Sequence, residues 1–327
     1  MRARKWTVGV DFGGTNIKVG VVDGQGKVAG EATLSTRTHA TPSTFVQGLD
    51  KTIDQLADRL GLARAGLRGA GIGAPGLIDV RRGLVYRLVN VPGGWRNVPL
   101  QRLLERRLGV KCSVDNDVNV VALGEWRFGA GRGTRHSVYI TLGTGVGGGL
   151  VINGRLVRGI SGAAGEIGHM AIALDGPRCA CGRRGCLEAF VGTAALLRKA
   201  RHAIRSGSRI LARLIRQHRG RLTPELINQA AQGGDRTAIR IWQEFGRDLG
   251  LALANVVHLL SPERIVIGGG ISRAWPLFAP SLMTTIRQQA FAVPANACHI
   301  VRAKLGDRAG IIGGAVLVWE QQRRIDD

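Results

Sequence analysis

The sequence predicts an α/β protein of two domains, and three observations carry the prediction. A strand–glycine turn–strand unit at the N-terminus recurs about 130 residues later. Amphipathic helical stretches alternate with short runs rich in Val and Ile. Glycine is abundant, at 49 of 327 residues, as tight connections between such elements require. Hydrophobic residues make up 44% of the chain, enough for a substantial core, and no apolar run approaches the length of a membrane-spanning helix. The start, MRARKWTVGVD, holds too few apolar residues before Asp11 to read as a secretory signal.

Taken in order, TVGVDFGGTNIKVGVVDGQGKVAGEATL reads as three strands, with a glycine turn after the first and an Asp23-Gly24 turn after the second. Ser43 to Leu62 is helical, with Phe45, Leu49, Ile53, Leu56 and Leu60 on one face. Gly69 to Val80 is a strand ending in a glycine-rich turn at Pro75-Gly76. Val98 to Leu108 is a short basic helix, Lys111 to Val114 a strand, and Val118 to Phe128 a helix.

The second copy, SVYITLGTGVGGGLVINGRLVRG, sets Gly143 on Gly13, Gly145 on Thr15 and Asn153-Gly154 on Asp23-Gly24. Thr193 to His218 is helical with a break near Gly207, Thr223-Pro224 caps another helix, and Ala238 to Leu260 is a long apolar-faced one. Arg264 to Gly270 is a buried strand entering a glycine turn, and a strand near His299 to Ala303 precedes the final helix. That helix carries Gly310, Gly313 and Gly314, which permit close packing. The expected division is a small domain, 1–117, completed by the helix 307–327, and a larger domain, 118–306.

Between Gly165 and Glu188 the chain reads GEIGHMAIALDGPRCACGRRGCLE. His169, Cys179, Cys181 and Cys186 form a Cys₃His set suited to a structural tetrahedral zinc in the loop 169–186, with glycines bending the chain between the ligands. Three of the five cysteines lie in this cluster, which suits a reducing cytoplasm, and Cys112 and Cys298 read as ordinary buried thiols.

The net charge is +23, mostly from Arg. The excess concentrates between Arg178 and Arg221, where Glu188 is the sole acidic residue. Such a field attracts polyanions, whether nucleotides, polyphosphate or nucleic acid. The plainer reading is a compositional bias towards Arg on solvated helix faces. The aromatic interleaving of a single-strand groove is missing, and no specific nucleic-acid partner is expected.

Both glycine turns can cradle phosphate. In Asp11-Phe12-Gly13-Gly14-Thr15 the glycines open the backbone N–H groups to an anion, Thr15 adds a hydroxyl, and Asp11 at the strand end can hold Mg²⁺ through water. Thr141-Leu142-Gly143-Thr144-Gly145 repeats the cradle, and Gly268-Gly269-Gly270 offers backbone against an adenosine. A dinucleotide fingerprint would open a helix, whereas both copies run into a second strand, so a triphosphate fits better. Asn116-Asp117 sits where a strand meets a helix. An N-cap is the ordinary reading, and a general base for phosphoryl transfer is the functional one.

The turn DFGGTNIK, the stretch DNDVNVVALGE, then TLGTGVGGG, GEIGH and CACGRRGCLE occur in the order seen in the ROK family of sugar kinases and sugar-responsive repressors, which the chain resembles over essentially its whole length. The resemblance implies an actin-like, hexokinase-type fold, two α/β domains around a cleft that closes on a hexose and ATP. It implies that Asp117 is the catalytic base, and that Asn90, Asn116, Glu166, His169 and Glu188 join it in holding the sugar. It assigns Asp11, Gly13, Gly14, Thr15, Thr144 and Gly145 to the phosphates and Mg²⁺, and Lys18, Gly143, Gly268 and Gly269 are expected to join them in binding ATP. The spacing from Asn90 to Trp95 is one glycine longer than the family pattern.

His169 can serve zinc with one ring nitrogen and the sugar with the other. The implied activity is ATP-dependent phosphorylation of glucose at the 6-hydroxyl by a cytoplasmic homodimer. The alternatives are another hexose (N-acetylglucosamine, N-acetylmannosamine, mannose or fructose) or polyphosphate as donor; relatives that use polyphosphate generally lack the cysteine cluster present here. Repressors of the family carry a helix-turn-helix segment before the first strand. Here that strand begins within the first ten residues, which weighs against a DNA-binding regulator.

Overall fold

The computed structural model describes residues 6–88 and 91–326, so Asn90 lies outside the described residues. The chain opens with β1 (Trp6–Phe12), β2 (Asn16–Val22) and β3 (Val28–Ser35), an antiparallel meander whose alternating Val and Ile side chains are buried. Then follow α1 (Pro42–Arg59), β4 (Leu67–Ala74), the short strands β5 (Gly76–Asp79), β6 (Leu84–Leu88) and β7 (Arg96–Val98), α2 (Leu100–Leu108), β8 (Cys112–Asn116) and α3 (Asp117–Phe128). Helix α1 starts at a capping box, Thr41 with Thr44, and a Pro in its first turn. The strand expected from Gly69 to Val80 is two strands, because Pro75 has no N–H to continue the ladder and β5 turns away to pair with β6.

The second half begins with β9 (Ser137–Leu142), β10 (Val146–Ile152) and β11 (Arg155–Val157). Next come α4 (Glu188–Val191), α5 (Thr193–Arg205), α6 (Arg209–Gln217), α7 (Pro224–Gln232) and α8 (Arg236–Leu260). The chain ends with β12 (Arg264–Gly268), α9 (Trp275–Gln289), α10 (Ala292–Ala297), β13 (His299–Arg302) and α11 (Ala309–Asp326). Gly207, in a left-handed conformation, separates α5 from α6.

Two five-stranded sheets share one topology, β3-β2-β1-β4-β8 and β11-β10-β9-β12-β13. In each, three consecutive strands are followed by two that join in parallel, β4 on β1 and β8 on β4, β12 on β9 and β13 on β12. The duplication read from the sequence is therefore a duplication of whole sheets. The aligned turns differ in build. Asn153 and Gly154 both have positive φ, 52° and 69°, a two-residue hairpin turn, whereas Asp23 Oδ1 organises a wider loop by accepting from the N–H groups of Gln25 and Lys27.

The described chain forms two compact units, residues 1–135 with 149–165 and 303–327, and residues 136–148 with 166–302. In the first, α11 lies across β1 and β4 and against α3. Gly314 meets the backbone of Gly9 and Gly71, and Gly313 meets Val120 and Gly124, contacts in which any side chain would collide with main chain. Asp117 opens α3, so the chain changes unit at His136 and not at the strand–helix junction. The core of this unit gathers Val8, Val10, Phe12, Phe45, Leu49 and Trp95, with Phe12 and Phe45 stacked 4.5 Å apart. In the second unit α8 packs on α9, with Trp242, Phe245 and Phe278 clustered at the contact. Cys112 and Cys298 are free and buried, and burial pushes their thiols up to about 12 and about 11.

Candidate active site

In the first unit the residues of interest sit at the C-terminal ends of parallel strands, the edge where open α/β sheets bind ligands. Asp11 pairs in register with Gly73 of β4, and Gly73 with Asp115 of β8. Two inter-strand spacings, about 10 Å, thus separate the β1 edge from the β8 edge. Gly73 is bare because a Cβ there would lie 3.2 Å from Cα of Asp117 and 3.0 Å from Val120.

The turn after β1 is closed by its own backbone. Gly13 donates its N–H to the Asn16 carbonyl at 2.9 Å, so the groups it presents to an anion are those of exposed Gly14 and Thr15. Thr36 ties the turn down, its hydroxyl donating to the Gly13 carbonyl at 2.7 Å and its N–H to that of Thr15 at 3.0 Å. Lys18 pairs across the strands with Asp11 and reaches Asp307 at 3.7 Å. Burial raises the pKa of Asp11, with the positive charge of Lys18 acting in the other direction.

Asn116 is a working N-cap. Its Oδ1 accepts from the N–H groups of Val118 and Asn119 at 2.9 and 3.3 Å, and its Nδ2 donates to the Gly76 carbonyl at 3.1 Å. One amide hydrogen remains for a ligand. Asp117 is half-buried as the first residue of α3, its Oδ1 accepting from Val118 N–H at 2.9 Å. Behind the pair lies a device the sequence reading missed. Asp115, 1% exposed, receives Nε and a terminal nitrogen of Arg158 on one oxygen, both at 2.7 Å. Its other oxygen accepts from the Asn116 N–H at 2.8 Å and from Asn119 Nδ2 at 3.0 Å. No motif spacing announces Arg158, which follows β11 at a distance of 43 residues from its partner.

The second unit repeats the turn. Gly143 donates to the Gly145 carbonyl at 3.0 Å, and the Thr193 hydroxyl donates to the Gly143 carbonyl at 2.8 Å, as Thr36 does for Gly13. This leaves Thr144 exposed at the tip. Gly268 pairs with Thr141, and Gly269, at φ 84°, backs onto Leu142, so the third glycine turn stands beside the second cradle. Glu188 supports that cradle from below: one oxygen accepts from the Val146 N–H at 3.0 Å, and the other lies 3.5 Å from Cys179 Sγ.

Donor atoms of His169, Cys179, Cys181 and Cys186 all fall within 4.8 Å of one another. A tetrahedral zinc with Zn–S bonds of about 2.3 Å spaces two thiolates about 3.8 Å apart. Cys181 and Cys186 Sγ stand 3.7 Å apart, and Cys179 Sγ is 3.8 Å from His169 Nδ1. The donor set therefore fits the ion in both chemistry and spacing. The other nitrogen of His169, Nε2, is 4.0 Å from a carboxylate oxygen of Glu166, so the ring carries a metal-facing edge and a carboxylate-facing edge.

The chain is similar to known proteins along nearly its whole length. The sequence model of the ROK family matches residues 7–321. A glucokinase of Halalkalibacterium halodurans is 36% identical, over 98% of this chain and 97% of its own. A xylose repressor of Caldicellulosiruptor bescii is 31% identical over 95% of this chain but only 77% of its own. Among solved structures, a ROK family glucokinase from Streptomyces griseus, in complex with glucose and AMPPNP, superposes with a TM-score of 0.83 at 33% identity, covering 96% of this chain and 99% of that one.

Proposed function

The chain belongs to the ROK family and is an ATP-dependent sugar kinase, and we propose that it transfers the γ-phosphoryl group of ATP to the 6-hydroxyl of glucose. The observation that carries this reading is the shared sheet edge in the first unit: a carboxylate able to accept a proton, Asp117, and a phosphate-type turn, Gly13–Thr15, leave parallel strands on either side of bare Gly73. Phosphoryl transfer asks for little covalent chemistry from the protein. It needs a base at the acceptor oxygen, donors around the phosphate oxygens and fixed geometry between them. In our reading Asp117 takes the proton of the sugar hydroxyl as the new P–O bond forms and ADP leaves. Asn116, Glu166, His169 and Glu188 orient the sugar. The N–H groups of Gly14 and Thr15, with Thr144 and Gly145, receive the phosphates, and Gly268 and Gly269 border the nucleoside. Asp11 is the candidate holder of Mg²⁺, which when bound neutralises phosphate charge.

Zinc held by His169, Cys179, Cys181 and Cys186 would fix the loop's shape and the tautomer of His169. The glucokinase relatives support glucose as acceptor. A panel of hexoses assayed at saturating ATP tests that choice, and a preference for an N-acetylated sugar would replace it. Asp117→Ala tests the mechanism. Turnover should fall at least about 10²-fold, in line with the removal of a general base, while melting temperature and metal content stay put. Turnover within a few-fold of the parent enzyme would end the assignment of Asp117 as base.

A further inference from the structure

The arginine excess is not spread evenly over the surface. From Ala189 to Pro224 there is no acidic residue, while eight arginines lie between Arg198 and Arg221. All eight are exposed, and among the described residues none forms an ion pair; Lys199 alone is neutralised, by Glu244 and Asp248. Against a net charge of +23 for the whole chain, about a third of the excess is packed into 24 residues, far beyond an even compositional bias.

The helices order this charge. On α5, Arg198, Arg201 and Arg205 fall within an arc of about 60°, and on α6, Arg209, Arg213 and Arg216 do the same, each row running about 10 Å along its axis. The opposite face of α6 is anchored by buried Leu211 and Leu214, which holds the row outward. Two grooves flank these helices. One of about 440 Å³ is walled by Arg209, Arg213 and Arg216, the other, of about 350 Å³, by Arg198, Arg205 and Arg240, with Glu244, which pairs with Lys199, as its acidic member.

We propose that the α5–α6 face is a docking surface for the phosphate backbone of duplex nucleic acid, bound without regard to sequence. Arg presents a planar fork that grips phosphate oxygens in pairs, and rows of forks with no acidic residue in their own stretch of chain complement a regularly charged backbone. A single strand would call for exposed aromatic rings to stack on, and residues 193–221 hold no Phe, Tyr or Trp. A lipid surface would call for apolar anchors beside the charge, and none of the exposed large apolar side chains, Leu77, Ile160, Leu174, Leu259, Phe291 and Val293, lies in this stretch. The surface contains none of the residues assigned to phosphoryl transfer, so the inference stands apart from that reading.

Fluorescence anisotropy with a labelled duplex of about 20 base pairs, titrated between about 50 and about 200 mM KCl, tests it. Each backbone phosphate neutralised contributes about −0.9 to the slope of log affinity against log salt. Removing three arginines with Arg209→Gln, Arg213→Gln and Arg216→Gln should therefore flatten the slope by about 2.7, so that the variant loses about 40-fold less affinity than the parent across that salt range. Arg201→Gln with Arg205→Gln, on the other helix, should flatten it by about 1.8 in a separate protein. Both proteins should melt as the parent does. A control with equal charge loss elsewhere, Arg81→Gln, Arg82→Gln and Arg96→Gln, should leave the slope unchanged. No binding at the lower salt, an equal flattening in the control, or binding of linear polyphosphate without binding of the duplex would each overturn the proposal.

Discussion

Arg158 gives the sharpest test of how the Asn116–Asp117 junction is held. The Arg158 side chain is 17% exposed and that of its partner Asp115 is 1% exposed, so the pair is largely shielded from solvent. In Arg158→Met the stem volume is kept and the charge removed. One oxygen of Asp115 then faces protein with no donor, while the other still holds the Asn116 N–H and Asn119. Breaking a buried pair by deleting one partner costs about 3–5 kcal/mol, and the residual exposure of Arg158 places this case near about 3 kcal/mol. For a unit of this size that is a fall of about 6–12 °C in melting temperature. Because the pair is shielded, the loss should persist in high salt. Asp115→Asn in the Arg158→Met background should return part of it, giving a coupling energy above about 1 kcal/mol in the double-mutant cycle by calorimetry. If Asp117 is the base, kcat falls with little change in the KM for ATP. A shift under about 2 °C, or a cycle that closes at zero coupling, would refute the idea that Asp115 depends on Arg158.

Asp11 and the metal loop carry the remaining predictions. Burial raises the pKa of Asp11, so the folded chain holds that proton more tightly than the unfolded chain. The stability tied to the protonated form is complete below the ordinary carboxylate value and is lost as pH rises through the folded one. Asp11→Asn should therefore melt higher than the parent at neutral pH and show a flatter stability profile between acid and neutral pH, while phosphoryl transfer collapses. Equal melting curves at pH 7 would contradict the burial argument. Cys181→Ala should abolish zinc content by elemental analysis and raise the KM for sugar more than that for ATP. Equal rises in both would mean that the loop only keeps its unit folded.

Much of this architecture is legible in the sequence because the signal is local. The glycine turns, the Asn-Gly hairpin and the Thr223-Pro224 cap are each set by residues within a few positions of one another. The cysteine cluster is legible for the same reason. What stayed hidden depends on residues far apart. Thr36 and Thr193 cap the carbonyls of Gly13 and Gly143, yet each is an ordinary threonine until the chain brings it back across 23 and 50 residues. Arg158 was one arginine among many. Helices α9 and α10 were not anticipated at all, since Pro276, Pro280 and Pro294 obscure their periodicity; Pro276 falls in the first turn of α9, where no N–H is needed, and Pro280 lies on its exposed side while Phe278, Ala279, Leu282 and Ile286 are buried. The small sheet β5-β6-β7 was missed because three short strands of three to five residues carry too little alternation to be seen.

The metal loop shows why Glu188 matters more than its place at the start of a four-residue helix suggests. Between Met170 and Leu187 the chain crosses itself through a few backbone bonds, Ile172 to Gly185, Cys179 to Arg183, Gly185 to Pro177 and Leu187 to Met170. Its apolar cluster is Cys179, Cys186 and Ala189, while Leu174 is 89% exposed. A metal held by the four donors would add stability to this loop, beside the burial of Cys179, Cys186 and Leu187. Glu188 joins that loop to the second glycine turn, because the carboxylate that meets Cys179 also accepts from Val146. Loss of metal would therefore release His169 directly, at its Nδ1 edge, but reach the glycine turn only through one carboxylate that keeps its other hydrogen bond. That asymmetry is the physical reason for expecting sugar affinity to suffer more than nucleotide affinity when the thiolates are removed.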